Sequence, residues 1–308
     1  MIVVCGEALI DIVPAGDGTW RPIPGGGPFN TARALARLGA PTAFLGRLST
    51  DAFGVMLAQQ LKADGADLSL VSYGPESTTL AVAELDGQGL AEYEFFVKGT
   101  SAPNLTPEML PPTLPADVSA LHIGTLGVVL EPMATTLTEM ALREADHRLV
   151  MLDPNIRTRL VTDANEYRER LDGLIAHSTI VKASETDLEW LFPKLDSGAG
   201  ADRLLDMGAR LVVVTLGAAG ALGASPGGHV RVAAPEVEVV DTIGAGDAFG
   251  AAVLAWLHDH EALRSDLMLD NEQLRSMLSF ACLVAAITCT RVGADPPWRA
   301  ELAESPWV

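Results

Sequence analysis

Six short apolar runs, at residues 2–5, 42–45, 120–123, 149–152, 179–181 and 211–215, recur along the chain with helix-length segments between them. They are too short for helices and carry no polar alternation, so they read as strands buried on both faces. The intervening segments repeat apolar residues at spacings of three and four, as in Ala32, Leu35, Leu38 and in Met133, Leu137, Met140, which is helical periodicity. Strand–helix alternation of this kind builds parallel β-α-β units with right-handed crossovers. It predicts an α/β fold around a mostly parallel central sheet. No internal repeat or low-complexity tract interrupts it. Aromatic residues make up only 5% of the 308 residues, so Ala, Val and Leu must fill the core.

Two segments break the alternation. Residues 10–13 and 20–23 flank Ala15-Gly16-Asp17-Gly18, and residues 78–85 and 91–97 flank Asp86-Gly87-Gln88-Gly89. Both read as β-hairpins. Tyr93, Phe95 and Val97 alternate with Glu92 and Glu94, giving one apolar and one wet face. The two hairpins, near 10–24 and 77–98, suggest a small accessory sheet that serves as a lid or is an ordinary insertion.

Acidic residues outnumber basic ones 40 to 21, for a formal charge of −19. Such a surface repels a polyanion, so nucleic acid is not the expected partner. A phosphate-bearing ligand would need a local positive pocket made from backbone N–H groups or a bound cation. Cys5, Cys282 and Cys289 are widely spread and read as reduced thiols. The chain opens without a basic leader and an apolar run, and its longest uncharged stretches, such as 211–228, are cut by Gly and Pro. A soluble, cytoplasmic protein without membrane contact is expected.

The segment 239–250, Val-Val-Asp-Thr-Ile-Gly-Ala-Gly-Asp-Ala-Phe-Gly, runs from an apolar strand end through a tight turn into an apolar helix. Such a turn leaves the N–H groups of residues 245–247 unpaired at the positive end of a helix dipole, an anion site built from backbone alone. Asp247 falls in the first helical turn. A carboxylate there either caps the helix or, beside an anion hole, takes a proton from an attacking hydroxyl.

Asp241-Thr242-x-Gly244-Ala245-Gly246-Asp247 resembles the signature of the ribokinase-like, or phosphofructokinase-B-type, carbohydrate kinase family. A second signature of that family, a Gly-Gly element followed by Asn and a helix ending in Leu-Gly, is matched by Gly25-Gly26-Gly27-Pro28-Phe29-Asn30 through Leu38-Gly39. The likeness extends over essentially the whole chain. Segments 46–54, 153–157 and 181–185 are most like those of bacterial fructokinases.

The resemblance implies a three-layer α/β/α ribokinase-like fold with a small β-sheet lid, as a single kinase domain over residues 1–308. It implies Asp247 as general base for a sugar's primary alcohol, with Gly244, Ala245 and Gly246 forming the anion hole for the transferring phosphate. Asp11 would bind sugar hydroxyls, and Gly26, Gly27 and Asn30 would floor the sugar site; the glycines also suit a plain turn before a helix. Arg157 would lie near the substrate and the phosphate, although a loop arginine is also an ordinary surface charge. Thr215, Gly217 and Gly220 would make the nucleotide-side turn, which reads equally as a plain hairpin turn. Lys182 would approach the phosphates or form an ion pair. Asp241, with carbonyls around Ile243 and 290–295, would hold a monovalent cation such as K+. ATP and Mg2+ are the implied cosubstrate and ion, and a homodimer through the lid is the implied assembly.

One departure concerns the family's Asn-x-x-Glu element, associated with magnesium and phosphate, which stands here as Ser184-Glu185-Thr186-Asp187. Rival folds fail on spacing. The glycines at 244, 246 and 250 do not match a dinucleotide fingerprint and come late in the chain, and no Gly-Lys-Ser or Gly-Lys-Thr exists for a P-loop. The implied substrate is fructose first, then a 2-keto-3-deoxy sugar acid such as 2-keto-3-deoxygluconate paired with Arg157, then ribose or a nucleoside. A catalytically silent sugar sensor is the non-enzyme alternative, and it would be marked by loss of the base or the hole.

Overall fold

The computed structural model of the chain describes residues 1–15, 18–85 and 91–303. Its main sheet has eight strands. In spatial order they are β14 (Gly228–Val232), β13 (Ala221–Ser225), β12 (Leu211–Thr215), β11 (Ile180–Ser184), β10 (Leu149–Asp153), β9 (Ala120–Gly124), β1 (Ile2–Cys5) and β4 (Thr42–Leu45). From β12 to β4 every pairing is parallel, and β13 and β14 add an antiparallel edge. The six apolar runs are the six parallel strands, buried along nearly their whole length. The β12–β13 pair matches the plain hairpin turn that residues 215–220 also allow, whereas β13 and β14 lie outside the six apolar runs because Gly223 and the polar residues of β14 dilute their apolar signal.

One layer of helices holds α1 (Gly27–Arg37), α2 (Ala52–Asp64), α7 (Ala245–Asp259), α8 (Asn271–Cys289) and the short α9 (Arg299–Ala303). The opposite layer holds α3 (Met133–Glu144), α4 (Ala164–His177), α5 (Glu185–Leu191) and α6 (Ser197–Asp206). Successive strand residues point to opposite faces, so each strand feeds both layers: Val4, Met151 and Val213 join the first core, Val3, Leu152 and Val212 the second. This is the three-layer arrangement expected. No helix among the described residues is long and apolar enough to cross a membrane.

The expected hairpins pair into one second sheet of order β3 (Trp20–Gly25), β2 (Leu9–Pro14), β7 (Leu80–Leu85) and β8 (Ala91–Phe96), with β2 and β7 parallel. The turn tetrads at 15–18 and 86–89 lie partly or wholly outside the described residues. A small parallel pair, β5 (Arg47–Ser49) and β6 (Ser72–Gly74), completes the strands described.

The turn at 215–220 joins β12 to β13 as a hairpin. Gly220 sits at φ 97, and a Cβ there would stand 2.0 Å from the Val232 carbonyl oxygen; at Gly217, φ 56, a Cβ would meet open space. Gly220→Ala should therefore lower stability by about 1–3 kcal/mol, and Gly217→Ala by about 1 kcal/mol. Urea unfolding of both variants checks this, and equal losses would contradict the close-approach account.

Candidate active site

The carboxyl ends of the parallel strands are where an α/β sheet leaves a crevice for ligands, and here they open on a cleft of about 290 Å³. Helix α7 closes it from one side. Its N-cap, Gly244, has φ 77 and lies against the 292–296 stretch, where a Cβ would come within 2.5 Å of Ala294 Cβ. The first turn of α7 has no side-chain cap. The N–H groups of Gly246 and Asp247 have no hydrogen-bond partner among the described residues and point from the positive helix end. The expected trio is a pair here, because the Ala245 N–H turns back to the Thr242 carbonyl at 3.3 Å.

Asp247 does not cap its helix. Its Oδ2 accepts a hydrogen bond of 2.9 Å from Asn30 Nδ2 on α1, which leaves Oδ1 facing Gly27. A Cβ on Gly27 would stand 2.4 Å from Thr125 Oγ1 and 3.4 Å from Asp247 Oδ1, so glycine keeps the approach to that oxygen open. Burial pushes the Asp247 carboxyl up to about 6, with the Asn30 hydrogen bond opposing the shift and Asp153 adding to it. A carboxylate near that value is basic enough to accept a proton and still largely ionised at neutral pH.

Beneath the hole, Lys182 Nζ forms a buried ion pair of 2.6 Å with Asp153 Oδ2. The ammonium lies 3.6 Å from where a Cβ on Gly246 would stand, and Lys182 also lines the cleft. Burial works against its charge, yet Asp153 holds its pKa above the ordinary lysine value. Asp187 is committed to local structure: Oδ1 accepts the Ile156 N–H at 2.7 Å, and Oδ2 accepts the Ser184 N–H and Oγ at 2.8 and 2.7 Å in a capping box that starts α5. This is what the shorter side chain does in place of the family's glutamate. Among the described residues no three His, Cys, Asp or Glu side chains cluster to hold a metal ion.

On the other side of the cleft the second sheet contributes Leu9, Asp11, Tyr93 and Phe95. Burial and the nearby Asp247 charge raise the Asp11 carboxyl to about 7, and Arg157 opposes them. Tyr93 and Phe95, the apolar face of β8, are turned into the cleft. The outward face carries Phe96 and Trp20, 49% and 52% exposed, in register with Leu80 and Pro14. The Arg157 guanidinium lines the cleft and makes no hydrogen bond or ion pair with the described residues.

The structure thus gathers Asp11, Gly26, Gly27, Asn30, Arg157, Lys182, Ser184, Asp187, Thr215, Ile243, Gly244, Gly246 and Asp247 around one cavity. Ala245, Gly217 and Gly220 do not line it. Asp241 faces a neighbouring cavity shared with Asp11 and Tyr93, and its two oxygens accept the Ile243 N–H at 3.0 Å and the Gly293 N–H at 2.8 Å. Glu7, Thr125 and Asn155 were missed. Glu7 accepts the Gly27 N–H at 3.2 Å, and burial pushes its carboxyl up to about 8, so it is mostly neutral at pH 7. Thr125 and Asn155 hold φ of 52 and 39 beside each other, strain of the kind stored at functional sites. Glu7 follows β1 and Thr125 follows β9, so the rule that ligands sit beyond strand carboxyl ends would have found both.

A buried carboxylate beside open backbone N–H groups at a helix N-terminus, with a second sheet bringing Asp11 to the same cleft, is an arrangement suited to phosphoryl transfer. A family model described as pfkB family carbohydrate kinase matches residues 1–301, and the chain belongs to that family. It is 40% identical over 281 residues to a fructokinase of Rhizobium leguminosarum bv. trifolii, covering 90% of this chain and 84% of the relative. Among solved structures, a fructokinase from Xylella fastidiosa with bound ATP superposes with a TM-score of 0.90 at 27% identity, covering 98% of this chain and 97% of that one. A fructokinase from Vibrio cholerae O395 bound to fructose, ADP and calcium gives 0.87 at 27% identity, again over 98% and 97%.

With Asp247 as the group that must be ionised for turnover, kcat/KM should fall as pH drops through about 6. Asn30→Ala removes the donor that holds the Asp247 pKa down, so the acid limb should move to higher pH. A kcat/KM–pH profile of both proteins checks this, and an unmoved limb would assign it to another group.

Proposed function

We propose that this chain is an ATP-dependent fructokinase that transfers the γ-phosphate to a primary hydroxyl of the sugar. The observation that carries the reading is Asp247, with Oδ1 free of protein donors, beside the open N–H groups of the α7 turn. The named relatives support fructose as acceptor.

The sugar rests on Gly26, Gly27 and Asn30 with its hydroxyls toward Asp11. Its primary hydroxyl meets Asp247 Oδ1. As the hydroxyl oxygen bonds to the γ-phosphorus, the bond from phosphorus to the bridging oxygen of ADP breaks, and the hydroxyl proton passes to Asp247. The Gly246 and Asp247 N–H groups, with Gly244 setting the turn and Ala245 beginning it, meet the charge on the transferring oxygens. Thr215 and the turn at Gly217 and Gly220 border the nucleotide side, and Ser184 and Asp187 hold the loop at Ile156 below the phosphates. Magnesium would arrive with ATP and, with no cluster of three His, Cys, Asp or Glu side chains among the described residues, would be held by phosphates and water. A potassium ion near Ile243 would rest on carbonyl oxygens of that loop and 290–295, with Asp241 supplying charge.

The second sheet acts as a lid that shields the transfer from water. Its outward face, with Trp20 and Phe96 exposed, supports a homodimer assembled through the lid. A cytoplasmic setting fits three unpaired cysteines. A second reading, a kinase for a 2-keto-3-deoxy sugar acid, is favoured by the unpaired Arg157 in the cleft, whose guanidinium suits a carboxylate.

ADP release with Mg-ATP over fructose, 2-keto-3-deoxygluconate, ribose, glucose and adenosine tests these readings. Fructose should turn over best, and Asp247→Asn should lose on the order of 100-fold or more in kcat. A preference for the sugar acid would favour the second reading; turnover indifferent to Asp247 would overturn the mechanism.

A further inference from the structure

The turn at 241–247 is closed by its own hydrogen bonds, Ile243 N–H to Asp241 and Ala245 N–H to the Thr242 carbonyl, and is placed by contacts from outside it. The Val240 and Asp241 N–H groups anchor its start to the Cys289 carbonyl at the end of α8, at 2.9 and 3.2 Å. Asp241 accepts the Gly293 N–H and Gly244 leans on Ala294, so the part that carries the open N–H groups is seated against the 292–296 stretch. That stretch has almost no regular structure and is gripped instead by α1: Arg33 Nη1 donates to the Ala294 carbonyl at 2.8 Å, and Arg37 Nη1 donates to the Pro296 carbonyl at 2.7 Å and to Asp295 Oδ1 at 2.6 Å.

Both guanidinium groups are aimed by one carboxylate. Asp64, the last residue of α2, receives Arg33 Nε on Oδ2 at 2.6 Å and Arg37 Nε on Oδ1 at 2.9 Å, with Gln60 Nε2 adding 3.1 Å to Oδ2. Asp64 is 3% exposed and lines no part of the cleft. Arg33 and Arg37 also lie over the Phe29 and Trp298 rings, at 5.6 and 5.1 Å from the centroids, which adds to the hold on each guanidinium. A buried charge network of this kind is a poor source of stability compared with apolar packing, whereas a planar guanidinium held from one side is a good way to fix carbonyl groups on the other.

We propose that Asp64 is a positioning residue of the phosphoryl transfer: through Arg33 and Arg37 it clamps the 294–296 stretch against which the anion-hole turn at Gly244 is set. This rests on the kinase reading above. The clamp places the hole relative to Asp247 and leaves the sugar floor to Gly26, Gly27 and Asn30, so it governs kcat more than the sugar KM.

The test is Asp64→Asn, alone and combined with Asp241→Asn, read by steady-state kinetics and by amide hydrogen exchange of residues 241–246 in the full chain. Asp64→Asn should lose on the order of 10- to 100-fold in kcat, keep the fructose KM within about 2-fold, and exchange faster at 241–246. The double variant should lose little more than the worse single one, since both loosen the same loop. Multiplicative losses, or a lowered Tm with kcat and exchange unchanged, would overturn the proposal. Should Asp64→Asn not fold, Arg37→Lys, which keeps the charge and loses the fork, is read by the same two measurements against the same outcomes. Failure of the kinase reading shows separately, as wild-type protein without sugar-dependent ADP release; the exchange readout judges the clamp in either case.

Discussion

The hydrogen bond between Asn30 and Asp247 joins residues 217 apart in sequence, and the rest of the site is arranged around it. It exists because α1 and α7 pack side by side over the same face of the sheet, with Phe29 and Ala32 of one and Ala248, Phe249 and Ala251 of the other in one core. Neither helix alone makes a site. Together they bring Gly27 and Asn30 on one side, and the open N–H groups of Gly246 and Asp247 on the other, to a single carboxylate. The apolar packing that stabilises the fold is thereby the same packing that sets the reacting distance.

The protein carries a charge of −19, and the reaction assigned to it needs a polyanion to come close. Among the described residues only Lys182 and Arg157 bring cationic side chains to the cleft, and Asp153 matches the first of them. What remains attractive is the end of α7 and one guanidinium. The carboxyls answer in kind: Glu7, Asp11 and Asp247 all have raised pKa values, with burial as the largest cause of each. Part of the negative charge written in the sequence is therefore muted where phosphate must sit.

Much of this was legible before any coordinates. Residues 2–5, 42–45 and 211–215 are strands at those bounds, because a strand buried on both faces leaves an unbroken apolar run. The turn at 244–247 was legible because few residues other than glycine can make it. What sequence could not supply was direction. Alternation in β8 said that Tyr93 and Phe95 share a face, and only the sheet's placement shows that this face looks into the cleft while Phe96 looks out. Asp187 and Lys182 carried motif-level expectations about phosphate, and their partners, the Ile156 N–H and Asp153, are 31 and 29 residues away. Pairings over such distances are fixed by topology, and local pattern is blind to them.

Helix α1 carries Asn30 at the reacting carboxylate and, one and two turns on, Arg33 and Arg37 at the 294–296 stretch. An α-helix advances about 100° per residue, so this spacing works as a fixed gauge. A single inserted or deleted residue between 30 and 37 would swing one set of contacts a quarter-turn or more away from the other. Only Gly27 and Ala36 of this helix escape full burial, so both its length and nearly every one of its side chains are constrained by what they pack against.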